Sequence, residues 1–138
     1  MTFLELHESV QNLVTFLVTI SLNSQKQKEI HGIGEPGYEM PEYFQCEHSY
    51  NKDIEVIKEQ QLLYPDLINR IDNFIFELKK ENETFWMNYA TLPEWNNIRK
   101  KAYLLYTEIG LEELDIITKF EYDGRMESVI QFDVIEKK

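Results

Sequence analysis

The hydrophobic period changes once along this chain, and that change limits the folds open to it. Up to Ile109 apolar residues recur at intervals of three and four, and from Leu114 onward they alternate. Helices first and a strand pair last predict an α+β architecture. The expected fold is mostly helical, with about four helices and a C-terminal antiparallel β-hairpin packed on them. The 138 residues carry no internal repeat and no break in composition, so a single domain over 1–138 is expected.

The helical part divides into recognisable stripes. Thr2 and Glu5 have the spacing of a capping box, and Phe3, Leu6, Val10, Leu13, Leu17 and Ile20 continue from them as one face. Val14, Phe16 and Val18 widen that face, so its second half is expected to be buried on most sides, with the helix fading near residues 21–24. A second stripe follows Asn51, a candidate cap, through Ile54 and Ile57. Pro65 opens a third, with Leu67, Ile68, Ile71, Phe74, Ile75 and Leu78. Thr91 and Glu94 form another capping-box pair ahead of Trp95, Ile98, Ala102, Leu105 and Ile109, and Gly110 is the natural stop. A turn or two of helix is expected in the aromatic segment 84–89.

In the hairpin, a three-residue loop at Tyr122-Asp123-Gly124 would pair Phe120 with Met126, Thr118 with Ser128, Ile116 with Ile130 and Leu114 with Phe132. That register collects the apolar residues on one face, with Gly124 in the left-handed position of a bulge.

Charge excludes some functions. With 25 acidic and 14 basic side chains the formal charge is −11, which opposes a phosphate backbone or an anionic membrane as partner. The apolar stretch 13–20 follows Glu5 and Glu8 rather than a basic leader, and it is shorter than the roughly 20 residues that span a bilayer. A reduced, cytoplasmic setting is the expectation, in keeping with a single cysteine.

Few residues have the spacing of a chemical site. His31, Cys46 and His48 are the nearest group of borderline metal ligands, one short of a structural zinc set. Cys46 is followed by Glu47, which opposes a thiolate, so a passive thiol is the expectation. Gly32-Ile33-Gly34 runs into Glu35-Pro36 and lacks the basic helix start of a phosphate loop. The aromatics Phe85, Trp86, Tyr89 and Trp95 read first as core, and Arg99-Lys100-Lys101 as the solvated face of a helix. No catalytic residue, metal or cofactor is therefore assigned, and the chain reads as a binding protein rather than an enzyme.

The window 31–50 is different. It holds three of the five glycines and two of the four prolines, together with Tyr38, Tyr43, Phe44 and Tyr50. Between these lie Glu35, Glu39, Glu42 and Glu47, with no Lys or Arg. Such a segment reads as a long loop packed by its own side chains rather than as a regular helix. Residues 1–50 carry seven acids and two bases, 51–100 nine and seven, and 101–138 nine and five, so the excess charge lies toward the two ends. Two readings stay open for the loop: a solvated acidic segment whose aromatics tuck into the core, or a binding surface. As a surface, Tyr38, Tyr43 and Phe44 would anchor a basic partner and the carboxylates would pair with its Lys and Arg. Glu112, Glu113 and Asp115 form a second candidate patch.

A small acidic domain with an aromatic-acidic loop resembles the immunity proteins of bacterial toxin systems in size, charge and general build. The resemblance implies an inhibitor that neutralises a basic protein toxin, a nuclease above all, by covering its active site or nucleic-acid cleft. Two other readings accompany it. One is a small enzyme or ligand-binding protein that uses the 31–50 loop as a lid over His31, Cys46 or His48. The other is a phage-type inhibitor that mimics DNA.

Overall fold

The computed structural model describes residues 2–32, 34–45, 49–122, 124 and 127–137. Their order is helical as far as residue 107 and extended from 114, as the change of period requires. Five helices have eight residues or more: α1 (Glu8–Ser21), α2 (Ser24–His31), α5 (Ser49–Glu59), α6 (Pro65–Lys79) and α8 (Glu94–Thr107). Three more span one turn or slightly over: α3 (Pro36–Glu39), α4 (Glu42–Gln45) and α7 (Glu83–Met87). The strands are β1 (Leu114–Tyr122) and β2 (Glu127–Glu136). The described helices thus outnumber the four expected.

The additional helices come from segments whose apolar signal is weak. In α2 only Gln27, Ile30 and His31 are buried, and Asn23 caps the helix by accepting the Lys26 N–H at 2.8 Å. Within the 31–50 window, expected to be irregular, Pro36 occupies the first helical position of α3 and Glu35 caps it. The first stripe is also interrupted. Residues 3–5 make a single 3-10 turn, in which the Glu5 carboxylate accepts the Thr2 N–H at 2.7 Å. Leu6 is extended, and the His7 ring then caps α1 by accepting the Ser9 N–H at 3.1 Å. Two other start signals move. Asn51 lies inside α5, and α8 begins after Pro93 with no side-chain cap from Thr91. Gly110 ends the last helical region at φ 103°, in the left-handed range that favours glycine.

α1 is the hub, as its wide stripe predicts. Leu13, Val14, Leu17, Val18 and Ile20 have no accessible surface, and the helix packs chiefly against α8 and α5. Phe85, Trp86, Tyr89 and Trp95 join this core, and the Trp95 Nε1–H donates to the Phe85 carbonyl at 3.1 Å.

The hairpin lies on the helices through Leu114 and Ile116, both buried, against α1 and α2. Its register differs from the expected one. Ile116 faces Val134 and Thr118 faces Phe132, rather than Ile130 and Ser128, and Leu114 faces Glu136. The pairing shifts by one between Lys119 and Phe120, so Phe120 opposes Val129 rather than Met126, and Tyr122 opposes Glu127. The segment between that last pair is 123–126, longer than the expected loop; Asp123 and Met126 lie outside the described residues. The physical reason is parity. In the inner half the displacement is four residues, an even number, so Leu114, Ile116 and Thr118 keep the face that alternation assigns them.

Candidate functional site

The 31–45 segment is fixed to the body by its aromatic side chains. Tyr43 stacks on Phe16 with centroids 5.2 Å apart, and Phe44 meets Phe16 edge-on at 5.8 Å and Trp86 at 5.8 Å. The Tyr43 hydroxyl donates to Asp53 Oδ2 at 2.8 Å, and burial beside that carboxylate pushes its pKa well up. Gly37 brings α3 against α7. A Cβ there would lie 2.5 Å from Met87 Sδ and 2.9 Å from the Trp86 carbonyl oxygen, so only glycine permits the approach.

The opposite side of the segment faces water and is acidic. Tyr38 is 57% exposed, and its hydroxyl donates to Glu83 Oε1 on α7 at 3.0 Å. That hydrogen bond and the Glu83 charge raise the Tyr38 pKa. Glu39 and Glu42 are exposed and Glu35 is half-buried. Partial burial raises the Glu39 carboxyl pKa; His31 opposes the rise, and the nearby charges of Glu42 and Glu35 add to it. Among the described residues neither Glu35 nor Glu42 forms an ion pair, while Glu39 Oε2 lies 4.0 Å from His31 Nε2.

The structure therefore brings Glu35, Tyr38, Glu39 and Glu42 together as one solvent-facing group and adds Glu83. Tyr43 and Phe44 belong to the same segment but point their rings into the body. Glu47 lies outside the described residues, as do Cys46 and His48. Glu112 and Glu113 lie in the connection from α8 to β1, and Asp115 lies within β1. There Lys137 lies 3.6 Å from Glu113 and Lys26 lies 3.8 Å from Asp115, which partly neutralises the second patch.

Behind the segment lies a cleft of about 420 Å³ between α1, the end of α2, α3–α4 and α5. His31, Glu39 and Tyr43 line it with Asn12, Phe16 and Asp53. Asp53 is 6% exposed; its Oδ1 accepts from Asn12 Nδ2 at 3.2 Å and its Oδ2 from Tyr43. His31 Nδ1 lies 2.6 Å from the Gln27 carbonyl, which only an N–H can satisfy, so Nδ1 carries a proton. Among the described residues no group of three His, Cys, Asp or Glu side chains is placed to hold a metal ion. A second hollow, about 800 Å³, lies beside the α5–α6 turn and carries Tyr64 at 80% exposure.

Asp53 and Asn12 were missed by reasoning from sequence. For Asp53 the signal exists: Tyr50, Asp53, Ile54 and Ile57 are the buried face of α5, and an acid on such a stripe marks a carboxylate with partners inside. Arg99 also departs from expectation. It is partly buried, donates to the carbonyls of Leu22 at 2.9 Å and Tyr89 at 2.6 Å and to Gln27 Oε1 at 2.9 Å, and lies over the Trp95 ring.

No protein-family model, curated protein or solved structure matches the chain. No helix among the described residues is long and apolar enough to cross a membrane.

Proposed function

We propose that this protein is an inhibitor that binds a basic protein toxin, a nuclease in the simplest case, in the cytoplasm. Its α3–α4 face would cover the toxin's active site or nucleic-acid cleft. The observation that carries the reading is the acidic group around Tyr38: Glu35, Glu39, Glu42 and Glu83 share one side of the segment, and among the described residues none of them forms an ion pair with Lys or Arg. Such a field lowers its energy when Lys and Arg of a partner arrive, and it speeds their encounter. Tyr38 supplies a large, half-rigid contact at the centre, already oriented by Glu83. No side chain of the protein need act on a substrate in this role.

Because the rings of Tyr43 and Phe44 hold the segment in place, their removal mixes folding with binding, and Tyr38 is the cleaner probe. The test is capture of basic proteins encoded beside the gene, followed by titration of the captured partner at rising salt. Association is expected to slow with added salt, and Tyr38→Ala is expected to weaken it by about tenfold or more with the fold intact. Fast, salt-insensitive binding, or an unchanged affinity for Tyr38→Ala, overturns the reading. A partner that releases DNA on binding, with no toxin activity of its own, would favour the DNA-mimic reading instead.

A further inference from the structure

We propose that the cleft between α1, α3–α4 and α5 binds a guanidinium group, held by the Asp53 and Glu39 carboxylates against the rings of Phe16 and Tyr43. The inference goes beyond the proposed inhibition: it shares Glu39 with the α3–α4 face but concerns a group bound in the cleft behind it, which needs no docked protein.

Asp53 is the starting point. A carboxylate offers about four acceptor sites, and its two described hydrogen bonds both come from neutral donors, Asn12 and Tyr43. It forms no ion pair among the described residues, although it is more than nine-tenths buried. Burying an anion without a cation is costly, and proteins normally answer it with a charge partner or neutralise the group. Asp53 instead lies on the wall of an open cleft, where a cation from outside can supply the missing charge. Glu39 lines the same cleft beside His31, whose Nε2 lies 4.0 Å from its Oε2, so the cleft holds two carboxylates against one imidazole.

Shape selects among cations. The cleft, about 420 Å³, falls in the range of small-ligand sites. Phe16 and Tyr43 contribute aromatic carbon to its lining, and a planar guanidinium both forks onto carboxylates and stacks on rings, which an ammonium does less well. The described residues lack the grouped ligands a metal needs.

The experiment titrates the full chain with agmatine, a guanidinium on a flexible stem, by calorimetry and by NMR of the cleft residues. The control is its urea analogue, N-carbamoylputrescine, which keeps the terminal ammonium and lacks only the guanidinium charge. Agmatine is expected to bind and to shift Phe16 and Tyr43, while the analogue does not bind at the same concentration. Asp53→Asn is expected to weaken agmatine tenfold or more. Glu39→Gln, which changes a rim residue outside the core, is expected to weaken it at least threefold and keeps the test valid if Asp53→Asn melts early. Equal binding of the urea analogue, wild-type affinity in Glu39→Gln, or no agmatine binding in the millimolar range overturns the proposal. A peptide with one internal arginine separates the two sources of the group. Binding as tight as agmatine supports a site for a side chain of a basic protein, and exclusion of the peptide supports a site for a free small molecule.

Discussion

Gln61 shows how much a single backbone angle can matter. It follows α5 at φ 53°, and the Leu62 N–H bonds the Ile57 carbonyl at 3.0 Å, the pattern that closes a helix through a left-handed residue. Glycine is the usual occupant, because a Cβ crowds the following carbonyl. Gln61→Gly is therefore expected to stabilise the fold by about 1 kcal/mol, measured as a higher urea midpoint with an unchanged slope. Glu39 offers a pH-dependent counterpart. Its folded pKa is raised, chiefly by burial, so its contribution is complete below the unfolded value of ordinary Glu and fades as pH rises through the folded one. Replacing it with Gln is expected to raise Tm more at pH 7 than at pH 4, and an equal effect at both would contradict the assignment.

Among elements, legibility tracks what holds each one. α1, α6 and α8 bury broad apolar faces, and spacing located them because burial is written in residue type. The short helices α3 and α4 are held by Glu35 at a cap, by Gly37 against α7 and by rings on Phe16; these contacts cross the fold and leave no periodic trace. α2 is held by a polar knot. Gln27, fully buried, donates to the Thr19 and Ile20 carbonyls at the end of α1, and Arg99 reaches it from α8. Arg99→Met is expected to cost about 2–4 kcal/mol, since buried acceptors lose their donor, and hydrogen exchange should show α2 opening before α6. The candidate site was legible to a similar degree. The acidic Tyr38 group follows from composition, while the cleft needs Asn12 and Asp53, 41 positions apart, and no local pattern joins them. The hairpin was half readable: alternation fixed which residues face the helices, and the shift after Lys119 set the pairing.

Over the whole molecule, charge and architecture divide the labour. The core is built on α1, with α5 and α8 against it and the hairpin covering one side, so no single layer carries the fold. The acidic group around Tyr38 belongs to α3, α4 and α7, short elements whose outer faces contribute little to that core. Substitutions on those faces are therefore expected to change stability little, which suits the binding role proposed for them. A different consequence follows from two bonds between residues far apart in sequence. The Phe3 N–H donates to Glu136 Oε1 at 2.9 Å across 133 residues of sequence, and the Lys137 N–H to the Glu113 carbonyl at 2.8 Å. The 3–5 turn and the last strand are therefore neighbours, and a force applied between residues 3 and 137 meets these two bonds before it reaches the core.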